Sequence, residues 1–254
     1  MIFKHAKLYI VGGAVCITLF LSFRVHKEFM EEVSFVSDFV KPGDLVFDVG
    51  AYKGRKAAVY LSCGARVVCV EPQPALVSHL HDKFLGDNKV SIVSKGVGSQ
   101  VGKTSFFVCS KAPFISTCSS QWTQSGSFFD HGYQWDKQID IELTTLDELI
   151  KAYGVPQFCK IDVENFEADV LAGLSQPIPY VSFEYHKEYM DNIKKCVERL
   201  VVLGYTQFNF VLEDNKEFAL STWVPAEKIL ESLTACCSTR PGWQPFGDVY
   251  ARVS

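Results

Sequence analysis

The sequence has no excess of positive charge, which a protein that binds nucleic acid through its phosphates would need. Its 25 lysines and arginines are outnumbered by 29 aspartates and glutamates, which gives a formal net charge of −4. Internal repeats and low-complexity segments are absent as well. With 48% apolar and 21% charged residues among 254, the composition is typical of one globular domain with a sizeable core. We therefore expect no nucleic-acid partner.

A zinc-binding pattern is also missing, although the chain has nine cysteines. Their spacings do not form ligand pairs, and the adjacent Cys236 and Cys237 do not easily build a ligand cage. Cys69 and Cys159 lie in apolar, strand-like runs, where a free cysteine behaves as a small core residue. We expect mostly buried, reduced thiols. One or two disulfides remain open if the domain faces an oxidising lumen.

Charged side chains are missing from one long stretch, residues 8–23, which has positive charge on both flanks. The run is slightly shorter than the ~20 residues of a typical membrane span, for which ~17 is near the lower limit. Small residues of the signal-peptidase type do not follow it, which favours a retained single-pass anchor over a cleaved signal peptide. The balanced flanks leave the side of the membrane open. We therefore divide the chain into a tail with a membrane anchor, 1–27, and a domain, 28–254.

The rest of the chain is organised around residues 45–54, Leu-Val-Phe-Asp-Val-Gly-Ala-Tyr-Lys-Gly. The apolar first half is typical of a buried parallel strand. Gly50 and Gly54 then allow a tight turn that brings backbone N–H groups near a ligand. A helical pattern and a second apolar strand follow, and that strand ends in Glu71. This order is the first half of a nucleotide-binding α/β sheet, with Glu71 placed to accept hydrogen bonds from a ribose diol.

The turn lacks the Gly-x-Gly-x-x-Gly spacing of nicotinamide dinucleotide sites, because Tyr52 occupies the middle glycine position. A nicotinamide-dependent oxidoreductase is therefore the weakest functional hypothesis. Asp48-x-Gly50 followed by Glu71 better resembles the first two motifs of class I S-adenosylmethionine (SAM) methyltransferases. The alternative without function is an ordinary α/β turn with a surface glutamate.

Later segments predict more strands and helices of an α/β sheet. Helical spacing over 25–40 predicts a helix that packs on the domain edge. Further strands are predicted at 89–97, 104–109, 139–143, 157–164, 180–186, 205–212 and 246–253, and further helices at 74–85, 165–174, 188–203 and 225–236. Residues 116–135, rich in serine, glycine and aromatic residues, are typical of a lid or binding loop.

Two of these strands end in paired polar side chains, where ligands of open α/β sheets bind. Asp162 with Glu164, and Glu184 with His186, are two residues apart and share a face of their strands. Histidine, with an ordinary pKa near ~6.5, suits the removal of a proton from a hydroxyl acceptor, and a structural histidine at a strand end is the alternative. Paired carboxylates need a counterpart. Lys160, a substrate donor, the SAM sulfonium or a divalent metal can supply it, and without a third and fourth ligand we predict no metal.

Four stretches together resemble the FkbM family of SAM-dependent methyltransferases. They are residues 46–51, 70–72, 144–149 and 160–167, the last followed by Val170-Leu171-Ala172-Gly173. The resemblance implies a class I methyltransferase fold, a Rossmann-like α/β sheet with helices on both faces, and SAM as cofactor. Family members often methylate hydroxyls of sugars, glycans or natural products.

The resemblance also assigns cofactor-binding residues. These are Asp48, Gly50, Ala51, Gly54, Glu71, Pro72, Val97 and Asp162. The chain departs from the family pattern twice: Tyr52 stands where the family usually has asparagine, and Asn165 where it usually has glycine. The first departure lies in the glycine turn, which passes the methionine part of SAM in such methyltransferases. The second is mild because asparagine tolerates strained backbone.

The leading hypothesis is a membrane-anchored, SAM-dependent O-methyltransferase that acts on a hydroxyl of a glycan, lipid-linked sugar or small metabolite. Asp162, Glu164 and Glu184 line the acceptor side, and His186 is the preferred base. The second hypothesis is a catalytically silent protein of the same fold that binds a partner or tethers a complex at a membrane, and Tyr52 is its main support.

Overall fold

Two β-sheets with flanking helices make up the computed structural model, which describes residues 14–124, 126–213, 215–239 and 246–253. The helices are α1 (Ala14–Val36), α2 (Arg55–Ser62), α3 (Pro74–Lys83), α4 (Ser120–Gln124), α5 (Ser127–Asp130), α6 (Leu146–Tyr153), α7 (Glu167–Ala172), α8 (Met190–Val202) and α9 (Ala226–Thr239). The strands are β1 (Leu45–Val49), β2 (Arg66–Val70), β3 (Val90–Val93), β4 (Gly96–Val97), β5 (Gly102–Val108), β6 (Lys137–Thr144), β7 (Phe158–Ile161), β8 (Tyr180–His186), β9 (Gln207–Leu212) and β10 (Phe246–Arg252).

The larger sheet has seven strands in the order β3-β2-β1-β7-β8-β10-β9. Neighbouring strands are parallel except that β10 runs antiparallel to both β8 and β9. The strand order reverses between β1 and β7, and ligands of doubly wound sheets bind beyond the carboxyl ends at such a point. This Rossmann-like, mixed sheet with helices on both faces is the class I methyltransferase fold, which confirms the predicted α/β domain but not the predicted anchor helix.

The central strand β1 is buried along its whole length because helices cover both faces of the sheet. Phe47 and Val49 pack with Val170 on one face, in a core that α6, α7, α8 and α9 complete. Val46 and Val67 pack on the opposite face, against α1, α2 and α3. The rigid double-sided packing fixes the carboxyl ends of the strands, where the site described below lies.

The smaller sheet differs from the sequence prediction. The predicted strand at 89–97 is divided into β3, which belongs to the large sheet, and β4, which pairs with β6 in the order β4-β6-β5. Between β5 and β6 the chain forms a segment, residues 109–136, that we call the lid segment. It is not only a loop, because it contains α4 and α5.

Residues 8–13 of the predicted anchor, 8–23, lie outside the described residues, and for residues 14–23 only the backbone is described. α1 runs without interruption across the boundary predicted between residues 27 and 28. Its last turns pack on the sheet as expected, with Val36 buried and Phe29 and Val33 beside the core. Among the described residues, no helix is both long enough and apolar enough to cross a membrane. The anchor therefore remains a prediction.

Candidate functional site

A cavity of about 220 Å³ lies at the carboxyl ends of β1, β2 and β7. It is the position at which the reversal of strand order predicts ligand binding. Most of the polar side chains predicted for the site reach it. The lining includes Gly50, Tyr52, Glu71, Pro72, Gln73, Val97, Phe114, Asp162, Glu164, Phe166 and Glu184.

The glycine turn after β1 is shaped by its contact with β7. Gly50 has φ +84°, and a Cβ atom there would lie 1.7 Å from the carbonyl oxygen of Asp162, so only glycine fits. The N–H groups of Gly50 and Ala51 both donate to the carbonyl of Val70, at 2.9 and 3.1 Å. The sequence predicted that this turn presents N–H groups to a ligand. Instead, these two donors tie the turn to β2, and Gly50 serves a close approach of two strands.

Three of the predicted cofactor residues do not line the cavity. Ala51 is buried in the core. A Cβ atom on Gly54 would contact the side chains of Leu80 and Phe84 at 2.8 and 2.7 Å, so this glycine allows α2 and α3 to pack. Asp48 is 2% exposed and its Oδ2 has no hydrogen-bond partner. Burial raises the pKa of Asp48 to about 6. These three residues are therefore part of the packing around the cavity and not of its lining.

Glu71 lies in the cavity wall with both carboxylate oxygens held by backbone donors. Its Oε2 accepts the N–H of Tyr52, and its Oε1 accepts the N–H of Gln73, each at 3.0 Å. Burial raises the pKa of Glu71 to about 7, against the effect of these two hydrogen bonds. A fixed, desolvated carboxylate at this point fits the recognition of vicinal hydroxyls, as predicted for a ribose.

Both departures from the family pattern fall at positions with a left-handed backbone. Tyr52 has φ +48° and Asn165 has φ +66°, a left-handed region that is strained for most residues with a side chain. Asparagine and glycine, which the family usually has at these positions, adopt it most readily. The neighbouring Glu164 also has a positive φ of +57°. Strained residues of this kind cluster at functional sites.

Lys160 balances part of the negative charge of the carboxylates near the end of β7. Its Nζ lies 2.9 Å from Oδ2 of Asp162 and 3.1 Å from Oδ1 of Asp248. The lysine side chain is almost fully buried. Burial opposes ionisation of Asp162, but the Lys160 ammonium holds the pKa of that carboxyl below its usual value. One of the counterparts predicted for Asp162, Lys160, is therefore in contact with it.

Glu164, Glu184 and His186 form a second group, which we call the Glu-Glu-His cluster. Nε2 of His186 lies 3.2 Å from Oε2 of Glu184 and 3.8 Å from Oε2 of Glu164. These three atoms are buried, and none makes a hydrogen bond of acceptable geometry among the described residues.

Burial and the charge of Glu184 raise the pKa of Glu164 well above its usual value. Burial and the charge of Asp162 raise the pKa of Glu184 to about 7. Burial lowers the pKa of His186, but Glu184, Glu167 and Asp162 together outweigh burial, so the pKa of His186 is raised.

The lid segment forms an aromatic wall over His186. The ring of Trp122 meets the imidazole edge-on at 4.8 Å, and that of Phe128 lies at 6.4 Å. Phe246, from β10, stacks on the other side at 6.0 Å. Trp122 is anchored because its Nε1 donates to the carbonyl of Ile115 at 3.0 Å. The segment predicted as a lid or binding loop therefore covers the polar cluster.

Several residues of the site have no assignment from sequence. Thr117 donates from Oγ1 to the carbonyl of Glu164 at 2.6 Å, so the lid segment holds the strained turn. Glu167 is buried, accepts the N–H of Val163 at 3.2 Å and the Nδ2 of Asn192 at 2.7 Å, and has its pKa raised to about 7 by burial. Both lie in stretches that the sequence singled out: Thr117 in the loop predicted at residues 116–135, and Glu167 in the 160–167 stretch that resembles the family.

The comparison with known protein families agrees with the resemblance seen in the sequence. The family profile described as Methyltransferase FkbM domain matches residues 48–213, well over half of the chain. Among curated proteins, no sequence matches this chain.

Solved structures similar to this chain include several methyltransferases. Precorrin-6y C5,15-methyltransferase from Geobacter metallireducens GS-15 is 12% identical, with 88% of this chain and 87% of that chain covered and a TM-score of 0.43. Fibrillarin from Aeropyrum pernix with natively bound SAM is 12% identical, with 84% and 68% covered and a TM-score of 0.44. Magnesium protoporphyrin IX methyltransferase from Synechocystis PCC 6803 with bound SAM is 12% identical, with 98% and 87% covered and a TM-score of 0.42.

Proposed function

The chain belongs to the FkbM methyltransferase family, and from this premise we propose that it is an O-methyltransferase that acts on a hydroxyl of a glycan, lipid-linked sugar or small metabolite. One observation carries the proposal. A single cavity joins the carboxylate suited to a ribose, Glu71, to the polar cluster suited to an acceptor, through Glu164 and Glu184. Donor and acceptor chemistry therefore share one enclosed space.

The residues of the cavity fit SAM. Glu71 would accept hydrogen bonds from the ribose hydroxyls, and Val97 and Phe166 offer an apolar wall for the adenine. The carboxylate of Asp162, kept ionised by Lys160, would lie near the positive charge of the donor. When bound, SAM supplies an electrophilic methyl group on a sulfonium. The chain's own task is to align the acceptor oxygen and to remove its proton.

The Glu-Glu-His cluster is suited to that task. Glu164 and Glu184 line the cavity, so their carboxylates would meet an acceptor hydroxyl there, and His186, which does not line the cavity, pairs with Glu184 behind them at 3.2 Å. The aromatic wall of Trp122 and Phe128 keeps water away from the imidazole of His186. Excluding water strengthens each electrostatic interaction in the site and limits hydrolysis of the donor.

The cavity volume supports a role for the lid segment in substrate entry. About 220 Å³ is less than the roughly 300–1,000 Å³ typical of small-molecule sites. The rings of Tyr52 and Phe114 meet edge-on at 6.4 Å at its rim, and Phe114 is half exposed. Gln73 donates from Nε2 to the carbonyl of Pro113 at 3.1 Å, which links the lid segment to the turn after Glu71. We expect this rim to open when ligands enter.

The test of the function uses the full chain in a mild detergent. SAM and, separately, NAD are titrated by calorimetry, and transfer of a radiolabelled methyl group to glycans, lipid-linked sugars and small metabolites is then measured. Saturable SAM binding without an NAD response, together with a labelled methyl ether, is the expected result. SAM binding without transfer to any acceptor would favour the silent protein of the same fold. A folded sample that binds no SAM would overturn the proposal.

The proposal includes a membrane location, which the uncharged run at residues 8–23 supports. We expect the full chain to stay in the membrane pellet after alkaline carbonate extraction. Leu19→Arg places a charge within the run, where it costs roughly 2.5–3.5 kcal/mol in a membrane, and should release the protein. Release of the unaltered chain by carbonate would contradict the membrane location and leave the enzymatic proposal intact.

A further inference from the structure

We propose that the Glu-Glu-His cluster binds one divalent transition-metal ion through Glu164, Glu184 and His186, and that this ion holds the acceptor hydroxyl. The inference deepens the proposed function and rests on it for the identity of the acceptor. From the sequence we predicted no metal, because a third and a fourth ligand were not recognised. The fold supplies one, since the strained turn after β7 brings Glu164 beside two residues of β8.

The first observation is that the three ligand atoms lie close together. Oε2 of Glu164, Oε2 of Glu184 and Nε2 of His186 all lie within 4.8 Å of one another. Two atoms that bind one ion at roughly 2.0–2.4 Å are separated by no more than about 4.8 Å. The observed separations of 3.2 and 3.8 Å from Nε2 fall inside this limit. The three atoms are therefore close enough together to bind one ion.

The second observation is that these buried polar atoms lack hydrogen bonds of good geometry. Glu164 is 8% exposed, and its Oε2 has no hydrogen-bond partner among the described residues. The facing atoms of Glu184 and His186 lie 3.2 Å apart as an ion pair, but neither makes a hydrogen bond of good geometry among the described residues. Buried polar atoms without partners are costly, and such sites in native proteins commonly hold an ion or water. The cluster is therefore incomplete as a purely protein arrangement.

Charge balance points to a cation. Two carboxylates face a single imidazole in the cluster, and the nearby Lys160 already contacts Asp162 and Asp248. Buried carboxylates that share a site need a proton or a cation between them. The sulfonium of SAM is a competing cation, but it arrives only with the donor. A metal ion would balance the cluster before the donor binds, which gives the two explanations different tests.

The mixture of ligands selects the class of ion. Imidazole is a poor ligand for Mg²⁺ and Ca²⁺ and a good one for first-row transition metals, while carboxylates suit Mn²⁺ as well. Three protein ligands leave positions open for other ligands, as in catalytic metal sites. Glu164 and Glu184 line the cavity, so an open position would face the acceptor.

The ion would give the acceptor a defined chemical role. A hydroxyl bound to a divalent ion loses its proton more readily. With His186 bound to the ion, the proton would pass to water rather than to the imidazole. The acceptor oxygen then forms a bond to the methyl carbon. The sulfur–carbon bond breaks, and its electron pair stays on sulfur. Charge and atoms balance without a further reactant.

Direct binding tests the proposal. The full chain in a mild detergent is stripped with a chelator and titrated with MnCl₂ without SAM, and bound ion is followed by electron paramagnetic resonance. We expect one Mn²⁺ per chain and, in pulsed spectra, coupling to a nitrogen nucleus from His186. Glu184→Gln and His186→Gln should each weaken Mn²⁺ binding at least about tenfold. Loss of a residue that only hydrogen-bonds to a metal ligand already lowers metal affinity by about tenfold, and loss of a ligand should lower it at least as much. Glu198→Gln, which removes an exposed carboxylate on α8, should bind as the unaltered chain does.

Three results would overturn the proposal: no saturable Mn²⁺ binding by the folded chain, binding unchanged in both variants, or a bound ion without nitrogen coupling. The nitrogen signal comes from the unaltered chain, so it decides the matter even if a variant fails to fold. SAM is titrated into the same samples. SAM binding without metal binding would refute the metal site alone, and metal binding without SAM binding would refute the proposed function alone.

Discussion

The backbone N–H of Tyr52 donates a 3.0 Å hydrogen bond to Oε2 of Glu71, which joins the glycine turn to the end of β2. The N–H of Gln73 holds the other oxygen from the opposite side. Backbone groups alone therefore position this carboxylate, and side-chain changes around it should leave its orientation intact. This arrangement makes Glu71 the most direct point at which to test cofactor binding.

Glu71→Gln should lower SAM affinity about tenfold or more, because hydrogen bonds to a charged acceptor contribute roughly 1.5–3 kcal/mol. The glutamine keeps the size of the side chain, so it separates the loss of charge from the loss of packing. Calorimetric titration of both proteins at one pH measures the difference. Equal affinities would remove Glu71 from the cofactor site.

The affinity for SAM should also depend on pH through Glu71. Burial raises the pKa of this carboxyl to about 7, and only the ionised form accepts two hydrogen bonds from a diol at full strength. We therefore expect the affinity of the unaltered chain to rise as the pH increases through about 7. Glu71→Gln should show a flat profile over the same range. A parallel rise in the variant would mean that another group titrates.

Gly50→Ala should destabilise the fold severely. Its Cβ would lie 1.7 Å from the carbonyl oxygen of Asp162, and the left-handed backbone adds strain. We expect a loss of about 3 kcal/mol or more in the free energy of unfolding. The matched control is Gly86→Ala, since Gly86 has φ +79° but no atom within 4 Å of an added Cβ. That variant should lose only about 1 kcal/mol. Similar losses in chemical denaturation would show that the contact with Asp162 is unimportant.

Asp48 should make the SAM-free protein less stable as the pH rises. Its pKa is about 6 in the folded chain and 3.8 in its ordinary state, so the folded chain binds the proton more tightly. Stability from this group is present below about pH 4 and is lost as the pH rises to about 6. Asp48→Asn removes the titration and should raise the free energy of unfolding at pH 7.5 by about 1–3 kcal/mol. Melting temperatures of the two proteins should converge at about pH 4, and a constant difference would contradict the assignment.

Local features of the site were predictable from sequence. The order of strand, glycine turn, helix, strand and acid placed Gly50 and Glu71 correctly in the cavity wall, because these residues are close in the chain and the backbone pattern fixes their positions. The alternation of side chains along β7 likewise put Lys160 on the same face as Asp162. Neither inference needed information on tertiary packing.

Contacts between distant segments were not predictable. Asp248 meets Lys160 only because β10 inserts antiparallel between β8 and β9. The position of Glu164 depends on two consecutive left-handed residues and on Thr117 of the lid segment, which no periodicity reveals. Gly54 was assigned to the cofactor from the motif alone, whereas its environment is the packing of α2 on α3.

Tyr52→Asn tests whether the departure from the family pattern impairs the enzyme. The hydrogen bond to Glu71 comes from the backbone, so asparagine keeps it, and asparagine relieves the strain at φ +48°. We expect the free energy of unfolding to rise by about 0.5–1 kcal/mol and SAM affinity to change less than about tenfold.

Tyr52→Ala is the matched control, since it also removes the ring that meets Phe114 but keeps the left-handed strain. Denaturation and calorimetry on the three proteins separate strain from ring contact. If Tyr52→Asn instead binds SAM far more tightly than the unaltered chain and gains methyl transfer, the tyrosine ring blocks the donor site. The natural protein would then act as a silent member of the fold, because a single side chain would account for its inactivity.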